Sequence, residues 1–125
     1  MSDTFKNTTT IVANMNQEYT IYTCPTADDS TIPPQKPVQS LVKSILCTPV
    51  GTSVIDVSLF DASANQTVKI ISGITMTAGN AGLGGYHDEE ILRQPLVLED
   101  SDILKVTSNQ NNALHVTVSV LEIKQ

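Results

Sequence analysis

Three clusters in this chain set reactive side chains close together. Glu99-Asp100-Ser101-Asp102 places three carboxylates within four residues. Carboxylates at that density can hold a divalent cation or share a proton in acid–base catalysis. His87-Asp88-Glu89-Glu90 adds an imidazole to three more carboxylates, a donor set that suits zinc or another divalent metal. Gly82-Leu83-Gly84-Gly85-Tyr86 is a glycine-rich run, and such runs let backbone amides close on a phosphate.

Spacing argues against each chemistry. A calcium loop needs carboxylates set apart and a glycine for its turn, and "LEDSDIL" has neither. Glycosidase chemistry needs two carboxylates facing each other across a cleft, which one turn does not supply. A tight turn accounts for these residues directly, because Asp and Ser side chains satisfy turn amides. Asp100 and Asp102 are therefore expected to be structural turn residues. In "HDEE", consecutive residues on an extended chain point to opposite sides, so they do not converge on one ion. There is no His-Glu-x-x-His, and His115 falls on the polar side of a strand-like run. The expectation is a solvated acidic loop with an exposed His87. A Walker loop needs Lys-Ser or Lys-Thr at its close, and a dinucleotide fold needs a parallel βαβ unit; neither surrounds Gly82 to Tyr86. No Gly-x-Ser-x-Gly elbow is present. The reading is a non-enzyme with no catalytic residue, cofactor or metal.

The elements around these clusters read as strands. At 125 residues the chain has the length of one domain with a single core. It has no Trp and only 2 Phe, so that core is aliphatic, and the abundant Val, Ile and Thr favour strands. Leu114, Val116, Val118 and Val120 alternate with His115, Thr117 and Ser119. Ile55, Val57 and Leu59 do the same, as do Val68 with Ile70 and Leu104 with Val106. Period two is the pattern of a sheet with one face in the core. Val38 to Cys47 is more continuously apolar, as in a central strand, while Ile11 to Ala13 and Tyr19 to Tyr22 complete the set. Turn residues separate the runs at Pro49 to Gly51, Asp61 to Asn65 and Ser108 to Asn112. The expected fold is all-β, an antiparallel β-sandwich or jelly-roll-like barrel of about eight short strands. Residues 1–16 are set apart as an N-terminal arm and residues 17–125 as a single sandwich domain.

Two loops are long enough to carry contacts. Pro25 to Pro37 holds four prolines, Pro33 and Pro34 among them, and Ala78 to Glu90 contains Gly82, Gly84, Tyr86 and His87. At the C-terminus, Leu121 and Ile123 break step with Val116, Val118 and Val120. A bulge or a second buried face is expected there, and with it another subunit on the outside. The net charge of −6, with seven scattered basic residues, excludes binding to nucleic acid through phosphates. The start, Met1 to Lys6, lacks the apolar core of a secretory leader, and no apolar run approaches ~18 residues. Residence in a cytoplasm without membrane contact is the expectation. Cys24 and Cys47 do not make a disulfide framework, and would pair only if neighbouring strands brought them together.

In order, the strands resemble the small β-sandwich virion structural proteins of tailed bacteriophages, cyanophages in particular. The likeness runs through "TFKN" (Thr4 to Asn7), "YTIYTCP" (Tyr19 to Pro25), "LVKSILCTPVGTSVIDVSLFDAS" (Leu41 to Ser63) and "ISGITMTAGN" (Ile71 to Asn80). It ends with "PLVLEDSDILKVTSNQNNALHVTVSVLEI" (Pro95 to Ile123). The chain departs from that pattern at Cys47-Thr48-Pro49, where a polar Asn is usual, and at Ser101, where a Gly is usual. The resemblance implies a head-decorating or cement protein, or a neck, collar or tail part, in contact with other virion proteins. It implies assembly in the host cytoplasm, localisation to the virion, and a homo-oligomer, with a trimer favoured. A carbohydrate- or host-surface-binding module is the alternative from the residues. Its aromatic candidates are Phe5, Tyr19, Tyr22, Phe60 and Tyr86, with Tyr86 alone in a suitable loop.

Overall fold

The computed structural model describes residues 2–26, 38–76, 89–90, 95–112 and 114–124. Among them there are nine strands and no helix. They are β1 (Ser2–Val12), β2 (Tyr19–Thr23), β3 (Val38–Pro49), β4 (Ser53–Asp61), β5 (Gln66–Met76), β6 (Glu89–Glu90), β7 (Leu96–Leu98), β8 (Ile103–Ser108) and β9 (Leu114–Lys124). One sheet runs β1-β9-β3, with β6 and β7 both on the far edge of β3; the other runs β2-β8-β4-β5. Every pairing is antiparallel.

The short strands β6 and β7 lie end to end, opposite Leu46–Cys47 and Ser40–Val42 of β3. Together they fill one strand position, so eight positions are occupied. The first position then pairs with the last, the second with the next to last, the third with the sixth and the fourth with the fifth. This nesting is that of one long hairpin rolled up on itself, the jelly-roll form of a β-sandwich.

The core is aliphatic because the alternation of both sheets delivers Val, Ile and Leu to the space between them. Val42, Ile45, Val116, Val118 and Val120 come from one sheet, and Ile55, Val57, Leu104 and Val106 from the other, all buried. Among the described residues Tyr22 is the one fully buried aromatic side chain of this core, and Tyr19 packs against it. Tyr22 shares burial with its neighbour Ile21 because β2 shifts register between Thr20 and Tyr22, which turns two successive residues inward.

Two expectations change here. Residues 2–12 are not an arm: Ser2 to Val12 pair residue by residue with Lys124 back to Leu114, making β1 the edge strand of the first sheet. Alternation could not reveal it. The positions of β1 in register with the buried side of β9 are Thr4, Lys6, Thr8, Thr10 and Val12, and only Val12 is apolar. Backbone pairing, not side-chain burial, recruits this strand. Nor does the apolar face of β9 shift. Glu122 continues the buried series of Val116, Val118 and Val120, and Leu121 and Ile123 lie on the opposite, outer side. The bulge lies on β3 instead, between Val42 and Ser44.

The long edge strand β5 also bends. Its register against β4 shifts twice, and Gly73 adopts φ 69. Its amide donates to Asp56 Oδ1 at 2.7 Å, and the other carboxylate oxygen lies 3.6 Å from Lys69 Nζ. Bulges and charges of this kind keep an exposed edge from pairing with other chains. A Cβ at Gly73 would meet no atom within 4 Å, so its cost is conformational alone. Gly73→Ala is expected to lower unfolding free energy by about 1 kcal/mol in a urea titration, with no change in the folded spectrum.

Candidate functional site

The carboxylate cluster sits where β7 turns into β8. Ser101 takes φ 70 at the apex, the left-handed conformation that glycine adopts without penalty. Asp102 is 5% exposed, and both of its side-chain oxygens accept backbone amides. Oδ2 takes the N–H of Glu99 at 2.9 Å, and Oδ1 takes the N–H of Ala62 at 3.0 Å from the β4–β5 turn. The backbone of the same residue binds a third segment, since Cys24 N–H donates to Asp102 O at 2.9 Å and Ser101 N–H to Cys24 O at 3.2 Å. Asp102 therefore joins two turns and the end of β2. Asp100 Oδ1 accepts the hydroxyl of Ser101 at 3.0 Å. Among the described residues no three His, Cys, Asp or Glu side chains come together as a metal site.

From this corner a line of polar side chains runs into the core. Tyr22 donates its hydroxyl to Glu122 Oε2 at 2.6 Å, and the same carboxylate oxygen lies 3.8 Å from Lys6 Nζ. Ser40 Oγ is 2.7 Å from the Tyr22 hydroxyl and 3.2 Å from Cys24 Sγ, and its one proton is directed to one or the other. The thiol in turn points to Leu98 O at 3.8 Å. The two sheets and β7 are thus tied by one chain of hydrogen bonds. Tyr22 has its proton held by burial, and next by the Glu122 bond, well above the ordinary value near 10.0. Burial likewise pushes the Cys24 thiol up from 9.0, with Ser40 partly opposing it. A nucleophilic cysteine needs the opposite, a thiolate favoured by a base or a positive charge. This arrangement keeps protons in place. Cys24 and Cys47 are both buried and are not bridged to one another.

A different feature lies on the outer side of the first sheet. Phe5, Leu121, Leu41 and Val97 stand in register on β1, β9, β3 and β7, one apolar side chain per strand. Phe5 is 74% exposed and Val97 58%, with Leu41 and Leu121 half-buried between them. The Lys43 ammonium reaches over the Phe5 ring, 5.8 Å from its centroid. The equivalent row on the outer side of the second sheet is polar: Thr20, Lys105, Ser58 and Lys69.

Of the residues expected to make contacts, Pro33, Pro34, Gly82, Gly84, Tyr86 and His87 lie outside the described residues. Among the other aromatic candidates, Tyr22 is buried, and Tyr19 is half-buried with its hydroxyl accepting the Asn14 amide at 2.9 Å. Phe60 is half-buried with Lys105 5.7 Å above its ring, which leaves Phe5 as the well-exposed one. Sequence reasoning missed the Tyr22–Glu122 pair, whose partners are 100 residues apart. The available signal was a carboxylate at the next inward position of an otherwise apolar alternation, because a buried charge requires a partner. Compared with protein-family models, with curated proteins and with solved structures, the chain matches none.

Two measurements follow. Asp102→Ala leaves two buried-side amides without acceptors and should cost about 2 kcal/mol of unfolding free energy. Tyr22→Phe removes the proton donor to a buried carboxylate and should cost about 1–3 kcal/mol at neutral pH. The pH dependence has a definite sign. Above pH 10.0 the unfolded chain releases a tyrosine proton that the folded chain keeps, so the native state loses stability as pH rises. The stability gap between wild type and Tyr22→Phe should therefore narrow in denaturation curves taken above that pH.

Proposed function

We propose that this protein is a non-enzymatic structural subunit of a tailed-bacteriophage virion, attached to the capsid as a decoration or cement protein. The observation that carries this reading is the apolar row Phe5–Leu121–Leu41–Val97 on the outer side of a rigid sheet. Exposed apolar surface that spans a whole sheet marks a site of association. The chain's resemblance to small virion sandwich proteins supplies the kind of assembly. The jelly roll is consistent with it by analogy alone, since that architecture serves both capsid and lectin domains.

Physically, such a subunit stabilises a particle by repeating one modest contact at every symmetry-related position. A sandwich pinned at its corner by Asp102 and across its core by Tyr22–Glu122 presents its outer face without reorganising, which limits the entropy lost on docking. Its partners are other virion proteins and further copies of itself, not nucleic acid.

Quantitative mass spectrometry of purified particles tests this. Copies on the order of hundreds per particle are expected for a capsid decoration, whereas about a dozen or fewer would move the protein to the neck or tail. Absence from the particle would overturn the reading.

A further inference from the structure

We infer that the outer face of the first sheet is a self-association surface that packs against the same face of a second copy of this chain. This rests on the reading of that face as an assembly surface and gives it to a second copy, so that attachment to the capsid falls to the remaining surface of the pair. Three observations single out a second copy.

The first is charge. The described side chains on this face include one carboxylate, Asp3, and one amine, Lys43, the rest being apolar, hydroxyl or amide groups and the imidazole of His115. Glu90 also stands in register on this face, opposite Leu46, so its described positions hold two carboxylate residues and one lysine on a chain that carries −6. Two copies meeting here escape much of the repulsion they would feel elsewhere, and a strongly charged partner would find little to pair with. Depletion of charge at the centre is also the compositional mark of interface cores.

The second is size. Three strands of 11, 11 and 12 residues and the 3 and 2 residues of β7 and β6, at ~3.4 Å per residue and ~4.8 Å spacing, give a face of roughly 600 Å². That is at the low end of the ~600–1,000 Å² that each partner contributes to a stable interface.

The third is complementarity. Flat sheet faces pack on flat sheet faces, with apolar side chains interdigitating across about 10 Å. The outer side of the second sheet offers the row Thr20–Lys105–Ser58–Lys69, in which two lysines would have to be desolvated against leucine and phenylalanine. The adjacent outer row, Thr23–Ile103–Phe60–Thr67, is apolar only at its centre and has Lys105 over the Phe60 ring, so the apolar row of the first sheet matches itself better than the other sheet. A face that pairs with itself has a two-fold axis, so the product is a dimer and not a trimer. Phe5 and Val97 at the two ends, with Leu121 and Leu41 at the centre, form the buried strip. Ile11, 64% exposed on the same side of β1, lies beyond Asn7 and Thr9 at the far end of the face.

Sedimentation equilibrium on the full chain tests the inference. Wild type is expected to be a dimer at tens of micromolar, and Val97→Asp or Phe5→Asp to weaken the dimer by roughly 30-fold or more. Both positions are exposed in the single chain, so thermal melts of these variants should show the monomer fold retained. Val54→Asp, on the outer side of the second sheet at 38% exposure, should leave the dimer intact. A wild type that stays monomeric at ~100 μM, where such an interface would be filled, overturns self-pairing. So does a trimer, or a dimer that survives both substitutions on the first sheet or dissociates with Val54→Asp. Cross-links in purified particles from the Val97 face to a different virion protein would also overturn it, yet leave the structural role standing. Absence from particles with an intact solution dimer would have the converse meaning.

Discussion

Strand β9 is hydrogen-bonded along both edges, to β1 from Ser2 to Val12 and to β3 from Val38 to Pro49. Side chains on a strand alternate between two faces, so once β9 is in place its neighbours inherit the assignment. Val116, Val118, Val120 and Glu122 face inward, and Leu121 and Ile123 face outward. A slip of one residue would bury Thr117 and Ser119 and expose three valines. The hydrophobic cost of that slip locks the register, and the register places Phe5, Leu41 and Val97 beside Leu121. The outer row is thus a consequence of how the core was filled.

The same register carries a polar burden. Glu122 at the inward position is 5% exposed, and an unpartnered carboxylate there would be destabilising. Tyr22 from the opposite sheet and Lys6 from the edge strand meet it, while Ser40 and Cys24 extend the chain toward the β7–β8 corner. There Asp102 takes over with two backbone amides from two different turns. Buried polar groups with satisfied partners favour one arrangement over its neighbours, because each alternative leaves a group unsatisfied. Of the clusters first weighed for chemistry, Asp102 belongs to this framework, and burial holds Tyr22 and Cys24 protonated.

The two outer faces of the sandwich differ in a way that the fold alone does not require. One carries lysines and hydroxyls along its central row; the other carries Phe, Leu, Leu and Val. The long edge β5 is bent by bulges and bears Lys69, which pairs with Asp56 of β4, and such features discourage edge-to-edge growth.

Much of this was legible in the residues themselves. Alternation at Leu114 to Val120, Ile55 to Leu59 and Leu104 to Val106 determined an all-β sandwich, because period two with aliphatic inward positions has no other way to bury its apolar side. Asp100 to Asp102 read as a turn for the same local reason, since short polar side chains satisfy turn amides. Strand β1 was not legible, because its inward positions are Thr4, Lys6, Thr8 and Thr10, and its pairing comes from a backbone partner over a hundred residues away. The Tyr22–Glu122 bond and the apolar outer row were hidden too. A strand's own sequence specifies which residues share a face. Which strands lie side by side, and therefore which faces join into one surface, is decided only when the chain closes its sheets.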